Sequence, residues 1–182
     1  MQTQFAPLIA LLGIGTLLFN IFSVVVIIIY ASTVSTKKKH FLHELSKHLE
    51  KYSIELALVI AAAATIGSLF LSEIVKFPPC TLCWYQRIFM YPQVVVLGLG
   101  LYFNDRRAKI YALILSIIGL AIAIYHIGVQ FLPGILPCSS ETVSCSLKQF
   151  TYFGYVTIPV MSATAFIAII LVLLFGLRKK SR

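Results

Sequence analysis

Charge is scarce in this chain. Asp, Glu, Lys and Arg make up 12% of its 182 residues, 59% are hydrophobic, and the mean hydropathy is +0.94. Soluble domains carry about twice that charged fraction, so an ordinary soluble domain is excluded. Internal repeats, low-complexity tracts and cofactor-binding motifs are also missing. Acidic residues are the rarest charges, 6 against 15 basic, for a net charge of +9. Such a surplus can mark a nucleic-acid binder. Here, however, the basic residues cluster between apolar stretches, which is what membrane topology produces, and nucleic acid is set aside as a partner. The first four residues carry no positive charge, so the apolar run behind them lacks the basic lead of a secretory signal.

What the chain does have is length in apolar runs. A bilayer-spanning helix needs about 20 mostly apolar residues. The sequence predicts five spans, over Phe5–Tyr30, Ser53–Ser72, Trp84–Phe103, Ile110–Phe131 and Ile158–Leu177, with a kink expected at Pro92 in the third. Between the first two, Phe41, Leu42, Leu45, Leu49 and Tyr52 recur at three- and four-residue steps in 37–52. That spacing predicts an amphipathic helix lying on the cytoplasmic membrane surface. His40, His43 and His48 belong to its basic face rather than to a metal site, because no cluster of cysteines or carboxylates converges on them. Glu55, within a turn of the cytoplasmic end of the second span, is expected to snorkel or to pair with Lys51. The predicted organisation is an all-α integral membrane protein: an extra transmembrane helix in 1–36, the linker in 37–52, and a helical bundle in 53–182.

Orientation follows from the basic residues. Segments 31–52, 104–109 and 178–182 hold five, three and four Lys or Arg, twelve of the fifteen, and the opposite side holds only Lys76, Arg87 and Lys148. The positive-inside rule puts the three basic segments in the cytoplasm and, with five spans, the amino terminus outside. All four cysteines (Cys80, Cys83, Cys138, Cys145) then fall on the outer side, where disulfides form and persist.

Cys80 and Cys83 form a Cys-x-x-Cys pair at a membrane boundary, and Cys138 and Cys145 lie in the second outer loop. Four cysteines allow three pairings, and sequence does not choose between them. Structural staples and a four-cysteine zinc site are both possible readings, but an exposed tetrathiolate suits an oxidising compartment poorly. A dithiol–disulfide relay fits better: a loop disulfide takes electrons from a protein thiol and passes them to the membrane-proximal pair. In a membrane protein without cofactor motifs, the natural exit is a lipid-soluble quinone. Arg87, one helical turn after Cys83, can stabilise a thiolate there and donate to a quinone oxygen. His126 and Gln130, four apart near the outer end of the fourth span, can line the same pocket.

Cys80-Thr-Leu-Cys83-Trp-Tyr-Gln-Arg87, followed by Ile-Phe-Met-Tyr-Pro92, resembles the quinone-dependent disulfide-generating membrane proteins of the DsbB type, especially the short-loop BdbC branch. His126-x-x-x-Gln130-x-x-Pro133, Pro137-Cys138, Ser144-Cys145 and Ile158-Pro159-Val-Met-Ser162 follow the same pattern in the same order. The resemblance covers about Ser53 to the end. It implies a four-helix transmembrane bundle that reoxidises a soluble or membrane-anchored thioredoxin-like partner of the DsbA type and reduces ubiquinone or menaquinone. It implies further that Cys138 meets the partner, that Cys145 exchanges with Cys80, and that Cys83 is the thiolate facing the quinone. Arg87 would then lie beside the ring, with His126 and Gln130 nearby. The first helix and the linker have no counterpart in that family.

Two rival readings are a membrane scaffold with stapled outer loops and an enzyme of the vitamin K epoxide reductase type. In the latter family the loop pair precedes the quinone-side motif along the chain. Here the order is reversed.

Overall fold

A computed structural model describes residues 6–35, 49–132 and 143–177. Five helices account for most of them: α1 (Ala6–Ser35), α2 (Ser53–Leu69, continued by a π-helical turn over Phe70–Ile74), α3 (Thr81–Tyr102), α4 (Ala108–Phe131) and α5 (Ile158–Leu177). Among the described residues the only extended pairing is a single bridge between Tyr152 and Val156. In hydrocarbon each backbone N–H and C=O must find its partner within the segment, which helices achieve. Ser53–Ile74, Ala108–Phe131 and Ile158–Leu177 are long and apolar enough to cross a membrane. The chain is an all-α membrane protein.

Helix α3 has 22 residues, but Gln86, Arg87 and Gln93 dilute its apolar character. Consecutive helices from α2 to α5 pack side by side and α5 closes on α2, so the four form a ring, and α1 lies against α5 outside it. Small residues allow the close approach that membrane helices rely on. Ala57, Ala61, Ala112 and Ala123 are fully buried around Leu97, Phe166 and Ile169. A Cβ on Gly119 would overlap the Phe166 ring. α3 is continuous through Pro92, and beside it the Gln93 amide donates to the Phe89 carbonyl at 2.8 Å and accepts from Ser116 Oγ at 3.0 Å.

The four ring helices connect at two ends. At one, the Asn104–Arg107 turn lies near Gly176, whose carbonyl accepts from Lys109 Nζ at 3.1 Å, and Leu49 packs on Phe175. At the other, the chain leaves the π-helical turn through Lys76 in the left-handed region (φ 62°) and enters Phe77-Pro78-Pro79. Leu71, Val75 and Phe77 pack there against Phe150 and Tyr152, so the connection leading into α5 is seated on the end of α2. The linker predicted over 37–52 falls largely outside the described residues, which resume at Leu49.

The fifth predicted span coincides with α5, and the fourth begins two residues later than α4. The third differs in a way that matters. α3 starts at Thr81, not Trp84, so Cys83 stands in its first turn and Cys80 occupies the N-cap position with extended backbone (φ −77°, ψ 172°). Prolines disfavour helix in the residue before them, so Phe77 and Pro78 stay out of the helix, and the helix begins after the extended Cys80.

Candidate redox site

The Cys80 and Cys83 sulfurs are 3.3 Å apart, and both residues are free thiols. Their place at the start of α3 matters chemically, because the positive end of a helix favours a thiolate. Cys80 is buried and Cys83 partly so. From α4, His126 reaches in with its Nε2 3.6 Å from Cys80 Sγ and 3.2 Å from the Cys145 carbonyl oxygen. Its Nδ1 lies 3.0 Å from Gln86 Nε2. An amide nitrogen can only donate, so Nδ1 accepts and the ring proton sits on Nε2, aimed at Cys80 and at Cys145.

The charge of the reduced pair therefore settles on Cys80. Its pKa falls from the ordinary 9.0 to about 4, chiefly through the hydrogen bond from the Cys83 thiol; His126 adds to this and burial opposes it. Cys83 keeps its proton as the donor. In this reduced state the His126 proton points at the Cys80 sulfur rather than at Cys83, the sulfur that the resemblance implies faces the quinone as a thiolate. Cys80, Cys83 and His126 also stand close enough together to hold a metal ion. With its proton on Nε2, however, His126 has no lone pair to offer there, and the contact works as a hydrogen bond.

The second cysteine-bearing segment is clasped over the first. Cys145 is disulfide-bonded and buried, in one cluster with Cys80 and Val129, flanked by Leu82, Cys83 and Val143. Gln149 Nε2 donates to the Pro78 carbonyl at 2.7 Å, and Gln130 Nε2 to the Leu147 carbonyl at 3.4 Å. Cys138, with Pro133 and Pro137, lies outside the described residues.

On the other face of the dithiol a cavity of about 390 Å³ opens, with Cys83, Gln86 and Arg87 at one edge and Ala64, Met161 and Ala165 among its apolar walls. Arg87 is held by Ser68: Nε donates to Ser68 Oγ at 3.1 Å and Nη2 to the Ser68 carbonyl at 3.2 Å. Tyr91 donates to the same Ser68 hydroxyl at 3.2 Å, and the guanidinium lies 5.2 Å over the Trp84 ring. His126 and Gln130 do not border this cavity. They line a smaller one, about 20 Å³, that both Cys80 and Cys83 border. The sequence grouped Arg87, His126 and Gln130 in one pocket; in the fold Arg87 lines the larger cavity and the other two the smaller one, and Cys83 borders both.

The family model described as Disulfide bond formation protein DsbB matches residues 50–176. The chain belongs to the DsbB family. It is 49% identical over 116 residues to the disulfide bond formation protein C of Bacillus subtilis, covering 62% of this chain and 83% of that one. Against a probable disulfide formation protein C 2 of Bacillus anthracis the identity is 42% over 135 residues, 74% of this chain and 96% of the relative. A probable disulfide formation protein of Chlamydia trachomatis is 41% identical over 134 residues, 74% and 98% of the two chains. No solved structure matches this chain.

DsbB membership makes this chain a membrane oxidoreductase that generates disulfides, as the resemblance around Cys80–Arg87 implied. The stapled-scaffold and vitamin K epoxide reductase readings give way to it. Helix α1 lies wholly outside the matched residues. Three contributors were not singled out in the sequence: Gln86, which orients His126, Ser68, which holds Arg87, and Gln149, which ties the loop to Pro78. Gln86 stands inside the quoted motif, but its role depends on a residue 40 positions away.

Proposed function

We propose that this DsbB-family protein reoxidises an extracytoplasmic thioredoxin-like protein of the DsbA type, soluble or membrane-anchored, and delivers the electrons to ubiquinone or menaquinone. The observation that carries the reading is the single buried cluster that joins Cys145 to Cys80 and Cys83, with a large apolar cavity that Cys83 also borders. The 390 Å³ cavity suits an aromatic headgroup and the start of an isoprenoid tail. Its edge at Cys83, Gln86 and Arg87 supplies hydrogen-bond donors where ring oxygens would lie. A bound quinone supplies an acceptor for two electrons and two protons.

The chain's own steps follow from thiol–disulfide exchange. The partner's thiolate attacks Cys138 of the Cys138–Cys145 disulfide, and the partner leaves oxidised while both loop cysteines are reduced. Cys145 thiolate then attacks Cys80 of the Cys80–Cys83 disulfide, releasing Cys83 as a thiolate beside Arg87. Cys138 closes on Cys145 again and frees Cys80, whose negative charge His126 and Cys83 stabilise. Loss of two electrons from the Cys80–Cys83 pair restores its disulfide. Arg87 orients and neutralises charge at the cavity edge, and Gln130 holds the loop through Leu147.

The basic-residue distribution supports a multi-pass arrangement in the cell membrane, with the amino terminus and the cysteines outside and the carboxyl terminus in the cytoplasm. Cys80, Cys83 and Cys145, with the connection into α5, stand at the end of the bundle opposite Arg106, Arg107 and Lys109. Residues 53–182 act as the redox domain, with 1–36 and 37–52 as additions to it.

The test is purified full-length protein in detergent with a reduced DsbA-type protein and a short-chain quinone, followed by quinone absorbance. Quinone reduction that disappears in Cys83→Ser and weakens in Arg87→Ala is the expected result. Absence of turnover with both ubiquinone-type and menaquinone-type acceptors would overturn the reading.

A further inference from the structure

The family model begins at residue 50, yet the cavity beside Cys83 is not built from the matched residues alone. Gly15, Thr16 and Phe19 of α1 line it together with α2, α3 and α5. Because α1 packs outside the four-helix ring, a cavity that touches it must reach the ring's outer surface, and α1 covers it there. A bundle without this helix would leave that side open to lipid.

The wall is held in place. Gly13, Thr16, Asn20 and Ser23 follow at three- and four-residue steps on one side of α1. Gly13 lies against the Tyr152 ring, 3.3 Å from where its Cβ would stand, and Thr164 Oγ1 of α5 donates to Asn20 Oδ1 at 2.7 Å. Thr16 and Ser23 are buried. Between these anchors Gly15 contributes no side chain, and a Cβ added to it would meet nothing within 4 Å. Gly15 is therefore a gap in the wall, and Phe19, one turn on, is its bulk.

We propose that α1 forms a specificity wall of the acceptor pocket, in which Gly15 and Phe19 set how bulky a quinone the site admits. This rests on the quinone reading above and adds to it a determinant that the matched part of the chain does not contain. It requires no new chemistry. The wall contacts the acceptor and leaves the cysteine exchange to the opposite face of the dithiol.

The test uses the full-length protein and its one tryptophan, Trp84, which stacks on Arg87 at the cavity edge. Short-chain quinone is titrated against Trp84 fluorescence in wild type, Gly15→Leu, Phe19→Ala and Gly98→Leu. Gly98 also has open space around it but lies away from the cavity, and replacing glycine by leucine in a helix favours the helix. Gly15→Leu is expected to raise the quinone Kd by about tenfold or more, while Gly98→Leu matches wild type. Single-turnover exchange with the reduced partner should be unchanged in both. Phe19→Ala should shift preference toward acceptors with bulkier ring substituents. Wild-type Kd in Gly15→Leu together with unchanged preference in Phe19→Ala would overturn the proposal while leaving the quinone reading intact. Failure of wild type itself to bind any quinone would overturn both.

Discussion

His126 Nε2 stands 3.6 Å from Cys80 Sγ, and the same nitrogen lies 3.2 Å from the Cys145 carbonyl oxygen. One N–H thus faces both the sulfur proposed to exchange with the loop and the backbone of the loop cysteine itself. Removing it should affect the exchange step rather than acceptor binding. A hydrogen bond to a charged group contributes about 1.5–3 kcal/mol, so His126→Ala should slow single-turnover transfer from the loop pair to the Cys80–Cys83 pair by roughly ten- to a hundredfold. Quinone Kd should stay near wild type. Gln86→Leu, which leaves Nδ1 without its donor, should show a weaker form of the same defect.

The reduced dithiol should titrate far from ordinary thiols. Cys80 has its pKa held at about 4 in place of 9.0, first by the Cys83 hydrogen bond. A lowered pKa favours the charged form in the folded protein. The resulting stabilisation of the reduced protein is fully present above pH 9 and is lost as pH falls through about 4. Alkylation of Cys80 in the reduced enzyme should accordingly vary little down to about pH 5 and decline below about pH 4, whereas a normal thiol slows about tenfold per unit below its own pKa. In Cys83→Ala the leading cause is gone, and thiolate ultraviolet absorbance should show the Cys80 transition moved upward.

Arg87 is aimed by Ser68, through both the hydroxyl and the carbonyl. A lysine keeps the charge but not the fork that makes these two contacts. Arg87→Lys should raise the KM for quinone by about tenfold with little change in partner exchange, and Ser68→Ala should do so to a smaller degree. Steady-state kinetics with varied quinone and with varied partner separate the two effects.

Packing at the middle of the bundle leaves no room at Gly119, where a Cβ would run into the Phe166 ring. Overpacking costs about 1–3 kcal/mol. Gly119→Ala should lower the thermal midpoint in detergent, and pairing it with Phe166→Leu should recover part of the loss.

The sequence was most legible where hydrophobicity alone decides structure. The uninterrupted apolar run from Ile158 to Leu177 gave its helix to the residue. It was less legible at the start of α3, where the helix begins at Thr81, a polar residue next to a cysteine, and hydrophobicity does not mark the first turn. The cysteine motif announced its chemistry through spacing. Its supporting residues did not, because Gln86 meets His126, and Ser68 meets Arg87, only across helices. The separation of Arg87 from His126 has the same origin: Arg87 shares α3 with the dithiol but turns to Ser68 of α2, whereas His126 reaches Cys80 from α4. The pocket wall on α1 was hidden for a similar reason, since a glycine in an apolar run carries no sign of facing a cavity.

The central claim is that the loop pair and the membrane pair exchange directly through Cys145 and Cys80. The most direct measurement is on the double variant Cys83→Ala/Cys138→Ala, which leaves those two cysteines alone in the full-length protein. After mild oxidation and digestion, peptide mass spectrometry should find a Cys80–Cys145 disulfide in most of the molecules. Two free thiols that stay unpaired in a folded bundle would contradict the relay.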